Sequence, residues 1–235
     1  MQISKFKNFI LDIIFPRECA GCGEEGEWLC ADCLQKIKFN LNLTCFHCQK
    51  SKELGAFCEE CAEFFYLDGI WAAGIYEDKI LMRLIHNLKY YFAKDIGKIL
   101  AEIIFKFLEK NNLPEHIRAN KFVIMPVPLH QKRKKWRGFN QAEIIAHRLA
   151  LQIGIEFIGD KLIRVKNKKS QTKLDKIERK QNVKDCFDWQ GESLTGKKII
   201  LIDDVSTTGA TLNECAWILK ENNAAEVWGL VTARV

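Results

Sequence analysis

A chain of 235 residues, 48% hydrophobic and 28% charged with a formal net charge of +6, has an ordinary globular composition and room for one large domain or two smaller ones. No apolar run approaches the ~20 residues that span a bilayer, and the opening lacks the pattern of an export signal. A cytoplasmic setting without a transmembrane segment is therefore expected, and a disulfide framework for the 10 cysteines is not.

Residues 1–16 place Ile3, Phe6, Phe9, Ile10, Ile13 and Ile14 at helical spacing up to Pro16. This predicts an amphipathic helix packed on the protein's own core, with a membrane-surface role as the rival. Residues 17–63 hold eight of the cysteines as four C-x-x-C pairs: Cys19/Cys22, Cys30/Cys33, Cys45/Cys48 and Cys58/Cys61. Each pair forms a knuckle with two thiolates toward one metal, and two knuckles complete a tetrahedral all-thiolate site. The segment therefore predicts a double zinc ribbon with two structural Zn²⁺ sites. Regular pairing outside a thioredoxin-like setting favours zinc over redox chemistry. Sequential pairing is the simplest arrangement, and an interleaved one stays open. The same segment carries five Lys/Arg against nine Asp/Glu, and two filled sites would each add about −2. Any grip on a phosphate backbone should come from elsewhere in the chain.

Residues 64–235 alternate between strand and helix patterns. LDGIWAAGIY reads as a strand, and DKILMRLIHNLKYY and DIGKILAEIIFKFLEKNN as helices. KFVIMPVP is a short buried strand stopped by its prolines. NQAEIIAHRLALQIG is a helix with Asn140 as N-cap and Gly154 as C-terminal cap. IEFIGDKLIRV reads as one strand, Lys166 to Lys173 as a loop, KKIILIDD as the most apolar strand, GATLNECAWILKENN as its helix and EVWGLVTARV as a final strand. The fold class predicted is α/β, a mostly parallel sheet covered on both faces.

Ligands of such sheets bind at the carboxyl ends of strands, where Asp203 and Asp204 fall. The turn after them, Val205 to Gly209, leads into a helix whose N-terminus offers unpaired N–H groups and a positive dipole end. Small residues admit an anion, and the hydroxyls of Ser206, Thr207, Thr208 and Thr211 add hydrogen bonds. This is a phosphate cradle without a P-loop lysine, beside acids suited to sugar hydroxyls. His86, His116 and His147 read as helix-surface or packing residues, and Cys186 and Cys215 as buried thiols.

LIDDVSTTGAT resembles the phosphoribosyl pyrophosphate (PRPP) motif of type I phosphoribosyltransferases. The resemblance implies that Asp203 and Asp204 hold ribose hydroxyls, that Val205, Ser206, Thr207, Thr208, Gly209, Ala210 and Thr211 hold the 5-phosphate, and that Mg²⁺ accompanies PRPP. With LIHNLKY, PVPLH, RGFNQAE and QTKLDKIERKQNVKDCF, nearly the whole chain is similar to the ComF/ComFC-type competence proteins. Tyr91 and Phe92 depart from the small turn expected after LKY, and Asn222-Asn223 from the glycine that usually ends the last helix. The family implies action on incoming single-stranded DNA beside a ComFA-like helicase/ATPase. The alternative is a metabolic phosphoribosyltransferase with a nitrogen acceptor. By the same resemblance, the loop after the KFVIMPVP strand meets pyrophosphate, making His130, Arg137 and Gly138 candidates. A closing loop supplies Lys168, Lys169, Gln171 and Arg179, with Arg137 and Lys169 joining the acids as catalytic candidates. Lys132, Arg133, Lys134, Lys135 and Arg137 surround Trp136, a mix of charge and aromatic that suits single-stranded DNA. Lys168, Lys169 and Arg179 extend that basic surface.

Overall fold

The computed structural model describes residues 17–90, 93–166 and 186–235. The helix expected over 1–16, Tyr91 and Phe92, and the loop candidates Lys168, Lys169, Gln171 and Arg179 lie outside the described residues.

Four strands, β1 (Gly69–Ile75), β2 (Phe122–Pro126), β5 (Lys198–Ser206) and β6 (Glu226–Arg234), form one sheet in the order β1-β6-β5-β2, with every pair parallel. Between them, β3 (Leu162–Arg164) and β4 (Phe187–Trp189) form a separate antiparallel pair. The IEFIGDKLIRV stretch is thus not one strand. Phe157 bridges Ile124 of β2, the chain then turns, and β3 leaves the main sheet to pair with β4. Gly159 makes that turn possible, because a Cβ there would stand 2.5 Å from the Phe157 ring.

The helices are α1 (Ala31–Gln35), α2 (Glu59–Ala62), α3 (Lys79–Tyr90), α4 (Lys94–Lys110), α5 (Leu113–Ala119), α6 (Gln131–Arg137), α7 (Gln141–Ile153) and α8 (Ala210–Glu221). Asp78 opens α3 by accepting the Ile80 and Leu81 N–H groups at 2.9 and 3.2 Å. Asn140 caps α7, and Gly154 closes it at φ +79°. Asn223 adopts φ +71° after α8, the left-handed position that a glycine would otherwise fill. QKRKKWR, read as loop, folds as α6; its N-cap is His130, whose Nδ1 accepts the Lys132 N–H at 3.2 Å.

Alternation along β5 divides the interior into two cores. Ile200 and Ile202 face Leu84, Leu88, Ile104 and Phe107 on one side. Ile199 and Leu201 face Leu212, Cys215 and Leu219 of α8 on the other. The cysteine segment straddles the β1 edge. Cys19 and Cys33 bury themselves in the first core, and Cys45, Cys58 and Cys61 in the second. Arg83 of α3 anchors the first ribbon, its Nη1 donating to the Ala20 carbonyl at 3.2 Å. Trp71 ties β1 to the middle of the segment, its Nε1 donating to the Leu54 carbonyl at 2.6 Å.

Candidate functional site

The strand β5 runs through both acids and ends at Ser206, so the turn proper is Thr207 to Gly209. Pleating sends Asp204 toward α3, where Lys89 Nζ stands 2.8 Å from its Oδ2. Asp203 faces α8, where the Cys215 thiol is pushed up by burial and by the Asp203 charge. Asp204 is only 4% exposed, and a buried carboxylate needs a counter-charge. Burial pulls the Lys89 ammonium down, but Asp204 and then Asp203 more than offset it and leave it raised. Burial and the neighbouring Asp204 charge push Asp203 up to about 7, with Lys89 and the Asp204 N–H, which donates to Oδ1 at 2.8 Å, pulling the other way.

Arg137 approaches the same cluster from the end of α6. Its Nη1 donates to Gln141 Oε1 at 2.6 Å, burial lowers its pKa against the pull of Asp204, and its Nε is buried without a hydrogen-bond partner. The rest of α6 points outward: Lys132, Arg133, Lys134, Lys135 and Trp136 are exposed, and Lys134 pairs with Glu143 at 3.0 Å. The basic run therefore splits into one arginine turned to the acids and an exposed cationic face. His130 stays at the rim, lowered by burial and by the charges of Arg164, Lys132 and Arg133. Gly138 takes φ +77° to end α6.

The turn is built for close approach. Gly209 is the N-cap of α8 at φ +76°, a conformation costly for other residues, and a Cβ there would meet Ile70 Cδ1 at 3.0 Å. The Gly209 N–H donates to Ser206 Oγ at 3.1 Å, and the Ala210 N–H to Thr208 Oγ1 at 3.3 Å. Thr207 is exposed, while Val205, Thr208, Ala210 and Thr211 are half-buried around the helix N-terminus. The hydroxyls are thus already arranged around the amides that would receive an anion.

Sequence reasoning missed Lys89, although it stands in the LKY triplet, and Arg164, whose buried Nε has no hydrogen-bond partner and whose guanidinium lies 5.3 Å from the Phe187 ring. Nothing local to either residue signals its place. His86, His116 and His147 pack against Tyr90, Phe122 and Phe157, and Cys186 and Cys215 are fully buried.

The eight remaining thiols gather sequentially: Cys19, Cys22, Cys30 and Cys33, then Cys45, Cys48, Cys58 and Cys61, each set within 4.8 Å. This settles the pairing left open by spacing. Sulfur separations of 3.7 Å (Cys19–Cys30), 3.9 Å (Cys22–Cys30) and 3.5 Å (Cys48–Cys58) match the ~3.8 Å edge of a tetrahedron with Zn–S bonds of ~2.3 Å. Burial would raise Cys19 and Cys45, but donated amides, among them Cys30 N–H to Cys19 Sγ at 3.3 Å, bring them down to about 6 and about 7. Those thiols are prepared to bind as thiolates.

Comparisons with known proteins bear on both halves. Residues 10–62 match the family model described as a double zinc ribbon domain, and residues 135–233 that of a phosphoribosyl transferase domain. Competence protein F of Haemophilus influenzae is 29% identical over 213 residues, covering 87% of this chain and 90% of that protein. Competence protein ComFC of Bacillus subtilis is 33% identical over 211 residues, covering 85% and 80% respectively. The DNA utilization protein YhgH of Escherichia coli is 30% identical over 64% of this chain and 66% of that protein. Among solved structures, a purine phosphoribosyltransferase from Pyrococcus horikoshii overlays 62% of this chain and 85% of its own at 18% identity and a TM-score of 0.36. With two four-cysteine ribbons on a parallel sheet and one-third identity along most of a competence relative, this chain belongs to the ComF/ComFC family.

Proposed function

We propose that the chain binds PRPP with Mg²⁺ at the end of β5 and acts in the cytoplasm on single-stranded DNA during DNA uptake, beside a ComFA-like helicase/ATPase. The observation that carries this reading is the Ser206–Gly209 turn, with its hydroxyls and the α8 amides, next to the buried Asp203/Asp204 pair. The turn would take the 5-phosphate and the carboxylates the ribose hydroxyls. Hard carboxylate oxygens near a pyrophosphate suit Mg²⁺, which would neutralise charge on the leaving group. Arg137, with a buried unpartnered Nε, would face the pyrophosphate. The exposed cations of α6 would track a DNA backbone.

Thermal melting tests the ligand. PRPP with Mg²⁺ at a hundredfold excess over Kd should stabilise the fold by about 2.7 kcal/mol. Asp203→Asn combined with Asp204→Asn should remove most of that shift, Thr208→Val less, and free ribose should give none. No shift with PRPP would sink the reading. Glu in place of Lys132 and Lys135 should weaken single-stranded DNA binding and flatten the slope of log K against log salt by about 1.4, the effect of two lost phosphate contacts. Equal DNA affinity in that variant would move the interface elsewhere.

The alternative reading is an active phosphoribosyltransferase, in which the same carboxylate pair and Arg137 would serve transfer to a nitrogen acceptor as well as binding. Pyrophosphate release from PRPP across nitrogen acceptors would separate the readings, since a pure binding protein would release none.

A further inference from the structure

The second four-thiolate cluster stands against the turn that ends β5, a contact with no part in the sugar-phosphate reading. Phe65 stacks on Phe57, the residue before Cys58, with ring centroids 4.2 Å apart. It meets His47, inside the Cys45–Cys48 knuckle, edge-on at 5.7 Å. The same ring comes within 3.7 Å of the position a Cβ on Gly209 would take. The next residue, Tyr66, donates its N–H to Asn213 Oδ1 at 2.6 Å, in the first turn of α8. At the other end of the turn, Arg234 closes β6 in register with Ser206. Its guanidinium lies 4.7 Å from the ring centroid of Phe46, the other residue inside the knuckle, and the following Val235 N–H donates to the Ser206 carbonyl at 3.0 Å. The two residues between Cys45 and Cys48 therefore reach both ends of the Ser206–Gly209 turn, His47 through Phe65 and Phe46 through Arg234.

We propose that Phe65 and Arg234 are positioning residues through which metal at Cys45, Cys48, Cys58 and Cys61 holds the Ser206–Gly209 turn in shape to take a sugar phosphate. A metal-closed knuckle is rigid, and without metal its ligands have nothing to keep them converged. An amide cradle binds an anion well only when its N–H groups are aimed beforehand. Among the described residues the first cluster has no such connection: it lies on the opposite face, where Gly21 approaches Ile80 and the Ala20 carbonyl receives Arg83. The choice of ligand rests on the sugar-phosphate reading, whereas the order of the turn can be measured with no ligand present.

The test uses the full-length zinc-loaded chain with Phe65→Leu, Arg234→Met, Cys48→Ser and, as a control that loosens only the first ribbon, Arg83→Met. Metal content, hydrogen exchange of the amides from 206 to 211, and calorimetric binding of ribose 5-phosphate are read on each. Phe65→Leu and Arg234→Met should keep two zinc ions, exchange those amides faster, and bind ribose 5-phosphate about tenfold more weakly. Cys48→Ser should lose one zinc with an equal or larger effect, and Arg83→Met should leave the turn as in wild type. Wild-type exchange at 206–211 in both Phe65→Leu and Arg234→Met would overturn the proposal, as would an equal effect from Arg83→Met. Should Cys48→Ser not fold, the two conservative variants decide. Failure of the wild-type chain to bind ribose 5-phosphate would count against the sugar-phosphate reading, and the exchange data would still decide this one.

Discussion

Carboxylates on consecutive residues repel, and at β5 that repulsion is met by Lys89, 2.8 Å from Asp204 and three-quarters buried with it. Breaking a buried pair from one side leaves the other charge uncompensated. Lys89→Met should therefore cost about 3 kcal/mol in urea unfolding; a loss below 1 kcal/mol would mean that Arg137 alone suffices. Asp203 behaves differently, because burial and Asp204 lift it from 3.8 to about 7. Its folded pKa lies above its unfolded one, so the folded chain holds this proton more tightly. The resulting stability is complete below about pH 4 and is lost as pH rises through 7. Asp203→Asn should gain stability over wild type at pH 8, with the difference vanishing toward pH 4. The expected gain is about 2 kcal/mol, less than the roughly 4 kcal/mol that three pH units would carry, since Asp203 keeps some contact with water. A variant no more stable than wild type at pH 8 would contradict the raised value.

At the scale of elements, Asn140 links two of them. Its Oδ1 caps α7 by accepting the Ala142 N–H at 3.2 Å, while its Nδ2 donates to the Val127 carbonyl just past β2 at 3.0 Å. The side chain is 5% exposed, so water cannot replace either bond. Asn140→Ala should cost about 2 kcal/mol, combining a lost cap with an orphaned carbonyl. Asn140→Asp keeps the cap acceptor, loses the donor, and should recover only part of it; full recovery would show that the Val127 bond contributes nothing. The link also explains why α6, exposed from Gln131 to Trp136, is held at both ends, by the His130 cap at the start and by the buried Phe139 and Asn140 after Gly138.

For the whole molecule, the ribbons are part of the two cores, which lie on opposite faces of the sheet. Zinc removal should therefore unfold more than residues 17–63. Elemental analysis should find two zinc ions per chain, and chelation should abolish the near-ultraviolet signal of Trp71 and Trp228, whose rings stack at 4.7 Å, in a single step with metal loss. Survival of that signal after complete zinc loss would show a sheet that stands without its ribbons.

Sequence by itself determined what repeats or turns locally. Cysteine spacing gave the knuckles, continuous apolar runs and the 3.6-residue apolar period gave the strands of the main sheet and its long helices, and DDVSTTGAT gave a small, hydroxyl-rich turn between strand and helix, because each is written within a few residues. The short helix α6 was hidden because all but Arg137 of its side chains face solvent and leave no apolar stripe; β4 went unread, and β3 was merged with the stretch before it, because the two partners are separated by a long intervening segment. Only the tertiary structure decided that the knuckles pair sequentially, that each ribbon takes its own face of the sheet, and that Lys89 meets the acids while Phe65 and Arg234 flank the turn. Those neighbours are brought in by strand order and crossover connections, so the residues that set the charge and shape of the site come from parts of the chain whose local pattern says nothing about it.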